Sequence, residues 1–268
     1  MIRIFQILVL SVTALLLTGC DGARSAGAPL GGIKLGDLAP SGAGERPAVQ
    51  FLETANIDVF IFWVPAANIS VMDDVWGLLS TGPLRFNNYD AFGANLFSVG
   101  FGQKQLWDKV GERLRLADAR NVRKVSFLLS SGQPDDLNLV RLRDEKTIFY
   151  VPANDSMTGR SLGPGSISLR LKAEKISGLR GVCDFEACGV FAPPPGSLIP
   201  ELEARRKADE FLFTSTGFKL KMSPDDFVFL GPTEYVADGR TLGSLFFSKP
   251  APEPIVRMFL LICTSINY

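Results

Sequence analysis

What this chain can fold into is constrained most by its first 48 residues, which hold no stretch suited to a globular core. Ile4 to Leu17 is an apolar run of 14 residues, broken only by Gln6, Ser11 and Thr13 and preceded by one charge, Arg3. As a helix it would rise about 21 Å, short of the ~30 Å hydrocarbon layer of a bilayer. Positive charge, short apolar run and small residues succeed one another in the order of a secretory signal, so a permanent transmembrane helix is the weaker reading. Residues 21–48 are built from Gly, Ala, Pro and Ser with scattered charges. They carry too little apolar surface to order themselves. As a flexible coil they would span about 30 Å root-mean-square, a tether for the rest of the chain. Folding therefore falls to residues 49–268.

The apolar run closes on Leu17-Thr18-Gly19-Cys20. These four residues resemble the lipobox of bacterial lipoproteins. The resemblance implies a diacylglycerol thioether on the Cys20 sulfur, cleavage between Gly19 and Cys20, and acylation of the new amino group, palmitate being a typical chain. Residues 1–19 are then a signal peptide, residues 20–48 a lipidated cysteine with its tether, and residues 49–268 the folded domain. A division of that domain into two subdomains near 131–165 stays open. Each buried methylene contributes about 0.8 kcal/mol, and stable anchoring takes more than one chain. The protein would thus be exported and held at a membrane surface of the cell envelope through acyl chains on Cys20. A signal cleaved without lipid attachment is the alternative. Asp21 resembles an inner-membrane retention signal of enteric-type bacteria, but the leaflet stays open.

Charge and composition narrow the chemistry. Twenty-eight basic residues balance 28 acidic ones, and no basic stripe is visible, so nucleic acid is not an expected partner. Arg205-Arg206-Lys207 is flanked by Glu201, Glu203, Asp209 and Glu210. Acids early and bases later suit the dipole of a solvated helix starting near Pro200 better than an anion-binding patch. The chain has no histidine. That removes Ser-His-Asp and Cys-His nucleophiles, the HExxH zinc peptidases and the two-His facial triad. A general base near neutral pH would have to be a shifted carboxylate, a lysine or a thiolate. No metal set and no cofactor are expected.

Within the domain, Ile57 to Val64 is a β-branched and aromatic run that reads as a buried strand. Ser70, with Asp73 three residues on, fits the start of an amphipathic helix carrying Val71, Met72, Val75, Trp76 and Leu79 on one face. Trp76 reads as a core residue, with cofactor stacking as the alternative. Pro83 opens a second short helix, Leu84 to Phe92, closed by Gly93. Leu96 to Phe101 reads as a strand and Gln103 to Ala119 as a helix. Gly100-Phe101-Gly102 between them has the context of a dinucleotide-binding turn but lacks its third glycine, since Gln105 stands there. The plainer reading is that the glycines permit a bend or tight packing.

From there the pattern turns to strands. Asn138 to Leu142 and Thr147 to Val151 flank Asp144-Glu145-Lys146 as a hairpin, and residues 152–165 look like a loop. Ile167 to Ala173 alternates as a half-buried strand, and residues 181–190 return beside it. Short strands come next at Phe211 to Thr214, Phe218 to Met222 and Phe227 to Leu230, with a last apolar strand at Ile255 to Ile266. Two segments repeat Pro-Asp-Asp, at 134–136 and 224–226. Paired carboxylates suit cation binding or glycoside hydrolysis, but proline and aspartate before an apolar strand are ordinary turn chemistry.

Three cysteines lie in the domain. Cys183 and Cys188 are the nearest pair in sequence. Across a hairpin with residues 184–187 as its loop they would reach disulfide geometry; on one straight strand they would face opposite ways, about 16 Å apart. The hairpin disulfide is the expectation, and Cys263 reads as a buried small hydrophobe.

The fold expected is α+β, a strand-rich domain with helices concentrated in residues 66–119; a β-sandwich with helical insertions is the alternative. The function expected is a lipid-anchored cell-envelope protein, non-catalytic, that binds or scaffolds an envelope partner. A lipid-anchored hydrolase using carboxylates or a Ser-Lys pair is the alternative.

Overall fold

The structure, a computed structural model, describes residues 53–153, 156–194, 208–249 and 252–267. Cys20, the tether and the helix expected near Pro200 lie outside the described residues. The first half runs β1 (Thr54–Pro65), α1 (Met72–Leu78), β2 (Arg85–Phe86), α2 (Tyr89–Ala94), β3 (Ser98–Gln103), α3 (Trp107–Leu116), β4 (Arg120–Ser130), β5 (Pro134–Leu142) and β6 (Lys146–Tyr150). The second half runs β7 (Thr158–Leu162), β8 (Gly165–Lys175), β9 (Cys183–Ala192), β10 (Phe211–Met222), β11 (Asp226–Gly231), α4 (Leu242–Phe247), β12 (Ser248–Lys249) and β13 (Ile255–Asn267).

The domain is strand-rich, and its strand ladders are antiparallel. One sheet has the order β3-β11-β13-β1-β4, with β12 beside β13; a second has the order β2-β10-β9-β8-β5; β6 and β7 form a separate ribbon. The first sheet is covered on both faces, and its central strands show it residue by residue. In β13, Phe259, Leu261 and Cys263 join the core shared with the second sheet. Val256, Met258 and Leu260 join a separate core under the helices. β11 divides the same way, Val228 and Leu230 to one side, Phe227 and Phe229 to the other. A strand apolar on both faces reads as a continuous apolar run, which is how 57–64 and 255–263 appear in the sequence. The helical cover is α1 and α3, which contribute Met72 and Val75, and Val110 and Leu114. At the free edge of this sheet, β4 carries exposed Arg120, Arg123 and Lys124, charges that discourage further strand pairing.

Leu137, Leu142, Ile148, Leu162 and Ile167, all from residues 131–170, belong to the same buried cluster as Ile57 and Val59 of β1. On the second sheet, Arg170 of β8 holds Asp136 of β5 through two hydrogen bonds, 2.7 and 2.8 Å, and Glu210 through a third at 2.8 Å. The hydrogen bond to Asp136, working against burial, raises the Arg170 guanidinium further above its ordinary range, so this charge is permanent.

Several local expectations are corrected. Ser70 does not cap α1; the chain enters through a 3-10 turn at Ala66–Val71, and no side chain caps the helix. The second helix starts at Tyr89 rather than Leu84, because Asn88 accepts the Ala91 N–H at 2.8 Å while Arg85 and Phe86 pair with β10. Gly93 lies inside that helix. β5 and β6 are not a hairpin: β5 pairs with β8 and β6 with β7, and β7 occupies part of the expected loop. The two strands expected at 211–222 are one strand with an irregularity between Phe213 and Phe218. There Thr216 donates to the Phe213 carbonyl at 2.8 Å and accepts the Gly189 N–H at 2.9 Å. α4 is an unforeseen helix in which all six residues are buried; so short an apolar run carries no helical period to read. Among the described residues no helix is long and apolar enough to cross a membrane.

Candidate functional site

The aromatic residues of 76–97 converge on an open cleft of about 530 Å³, bordered by α1, α2 and β3. Phe86, Tyr89 and Phe92 stand three residues apart and stack edge to face, with ring centroids 5.0 Å apart for both Phe86–Tyr89 and Phe86–Phe92. Phe97 continues the chain of rings 5.4 Å from Phe92. Phe92 and Phe97 are buried, whereas Tyr89 is 63% exposed. Trp76 forms the opposite side, tilted against Phe229 with centroids 5.3 Å apart.

Trp76 carries the least explained group in the domain. Among the described residues, its Nε1 is the buried side-chain polar atom without a hydrogen-bond partner. Leaving such a donor unsatisfied costs about 1–3 kcal/mol. The carboxylates of Asp73 and Asp90 also line the cleft, both on exposed residues, and its described lining includes no basic side chain. The cleft thus combines apolar rings and negative charge.

Its walls are held by specific contacts. The exit of α1 is tied to β3 by paired backbone bonds between Ser80 and Phe101, at 2.9 and 2.8 Å. Gly100 is required there, because a Cβ would lie 2.5 Å from the Leu79 Cβ. A Cβ on Gly102 would likewise lie 2.3 Å from the Phe227 ring. The two glycines of the nucleotide-like turn therefore serve close packing. Asn88 also donates to the Ala153 carbonyl at 2.9 Å, and Asn87 to the Thr214 carbonyl at 2.9 Å, anchoring the start of α2.

The other candidate residues do not gather at this cleft. Cys183 and Cys188 lie on one strand, β9, with no hairpin between them, and the three described cysteines are free thiols. The expected Cys183–Cys188 disulfide is corrected for a geometric reason: an odd offset of five along a strand puts the two side chains on opposite faces. Burial pushes the Cys188 thiol up to about 11, away from nucleophilic chemistry. Asp136 is engaged by Arg170. Asp225 pairs with Lys104 at 3.0 Å, and Asp226 accepts the Ser223 N–H at 2.8 Å. The repeated carboxylates thus serve ion pairs and a turn. One serine and one lysine do share a partner: Ser126 donates to Asp58 at 2.5 Å and Lys124 pairs with it at 2.7 Å. Because Lys124 is committed to a carboxylate as a cation, it is not available as the neutral base that a Ser-Lys nucleophile needs.

Sequence reasoning weighed Trp76 but passed over Phe86, Tyr89 and Phe97. The signal present was the three-residue spacing of Phe86, Tyr89 and Phe92. Comparison of the chain with family models, with curated proteins and with solved structures finds no match.

Proposed function

We propose that this chain is an exported, lipid-anchored cell-envelope protein, tethered through Cys20, whose α+β domain binds a protein partner at the aromatic cleft. The observation that carries the binding role is the exposed ring of Tyr89 on a cleft lined by stacked aromatic rings and by Asp73 and Asp90. The occupant that fits is a peptide segment of mixed basic and apolar character. Its apolar side chains would lie on the rings, and its cations would face Asp73 and Asp90.

Short Lys/Leu/Phe peptides test this, read through Trp76 fluorescence in a chain carrying Trp63→Phe and Trp107→Phe. Basic peptides should shift the emission, and raised salt should weaken them. Tyr89→Ala should reduce affinity about tenfold, the loss of one good anchor. Equal binding of acidic counterparts, or binding indifferent to Tyr89→Ala, would reject the cleft as the site. The anchor is tested separately: Cys20→Ser should abolish labelling by a fatty-acid analogue, and labelling that persists would reject lipidation at this residue.

A further inference from the structure

Cys183 has a partner in space, and it is not the one nearest in sequence. Cys183 opens β9 in the second sheet, opposite Met222, the last residue of β10. Residues 223–225 then carry the chain across to β11 in the first sheet. At the far end of that crossover, the Asp225 N–H donates to the carbonyl of Cys263 in β13 at 2.8 Å. The crossover therefore starts beside one cysteine and ends on the other. Both side chains point into the core between the sheets, with exposures of 2% and 0%. The Cys263 thiol holds the Cys183 thiol below its ordinary range, against the effect of burial, and Cys183 in turn pushes Cys263 up. Cys188 faces away, on the side of Arg170.

We propose that Cys183 and Cys263 are a disulfide-forming pair that clamps the two sheets together at the β10–β11 crossover. The oxidant is a small or protein disulfide. The Cys183 thiolate attacks one oxidant sulfur and expels the other as a thiolate. Cys263 then loses its proton and attacks the Cys183 sulfur of the mixed disulfide, expelling the second oxidant thiolate. Two cysteine thiols are oxidised and one oxidant disulfide is reduced to two thiols, which take up the two protons. Cys183 comes directly after a surface segment, 176–182, with Gly178 and Gly181 at positive φ and Leu179 exposed, so the oxidant meets it where β9 begins or while the chain folds. The two cysteines are 80 residues apart, and a loop of that length places the constraint on the unfolded chain near the upper end of what one disulfide supplies.

The test uses the full-length chain carrying Cys20→Ser, unfolded and reduced, then refolded in a buffer of reduced and oxidised glutathione and blocked with an alkylating agent. The product should carry one alkyl group, on Cys188, with Cys183 and Cys263 in one linked peptide two hydrogens lighter than the two reduced peptides together. Its thermal midpoint should stand about 10 °C above that of the reduced protein. Cys188→Ser should leave both results unchanged. Alkylation of Cys183 and Cys263 in the refolded protein, or a link through Cys188, would overturn the pairing; a midpoint indifferent to reductant would overturn the clamp. Because the oxidant is added in the tube, the result does not depend on export.

Discussion

Asn95 holds Val151 as a neighbouring strand would: its Oδ1 accepts the Val151 N–H at 2.8 Å while its Nδ2 donates to the Val151 carbonyl at 2.7 Å. The same Nδ2 reaches the Ala91 carbonyl at 2.7 Å and the Ser215 hydroxyl at 3.3 Å. One buried amide thus joins the end of α2 to the segment after β6 and to the irregularity of β10. These are the elements behind the aromatic cleft.

Replacing Asn95 by Leu keeps the branching of the side chain and strands both backbone groups of Val151. Each unsatisfied buried group costs about 1–3 kcal/mol, so Asn95→Leu should destabilise the domain by about 2–4 kcal/mol in urea unfolding. It should also release α2, and Tyr89 with it. A stability equal to that of the parent would show that the segment after β6 does not depend on this contact.

Two glycines close in sequence should respond oppositely to alanine. At Gly102 the added methyl meets the buried Phe227 ring, and overpacking of this kind costs about 1–3 kcal/mol. At Gly111, within α3, nothing stands within 4 Å of the new Cβ, and alanine should stabilise by about 0.5–1 kcal/mol through helix propensity. Denaturant midpoints of the two single variants check both signs; a shared sign would contradict the packing described.

Asp58 supplies a pH dependence with a defined direction. Burial alone would raise its carboxyl, but the hydrogen bonds from Lys124 and Ser126 outweigh it and leave the group below its ordinary value of 3.8. The unfolded chain then takes up the proton first. The stabilisation is present in full above the ordinary value and is lost as pH falls through the folded one. Asp58→Asn should cost about 1 kcal/mol at pH 7, modest because Lys124 is half exposed, and the gap to the parent should narrow as pH falls below 3.8. A gap that widens in acid would reverse the assignment.

The residues alone determined which segments enter the interior. Ile57 to Val64 and Ile255 to Cys263 are apolar at nearly every position, so no face of either strand suits water, and the structure buries them between helices on one side and a sheet on the other. Local chemistry also marked the turn at Ser223–Asp225 and the glycines beside β3. What the residues alone did not determine is which segment meets which. β5 and β6 have the spacing of a hairpin, yet β5 pairs with β8, where Arg170 reaches Asp136 from 34 residues on, and β6 pairs with β7. Phe86, Tyr89 and Phe92 show their spacing in the chain, but the cleft exists only because Trp76 is carried to its other side by a separate helix. Cys183 shows the difference most plainly. Sequence distance selects Cys188, whereas the two-residue pleat of β9 turns Cys188 away and the crossover between sheets brings Cys263 in. A strand's own pattern says what it must bury; the identity of its neighbours depends on contacts between distant segments, which form together only when the sheets close on a common core.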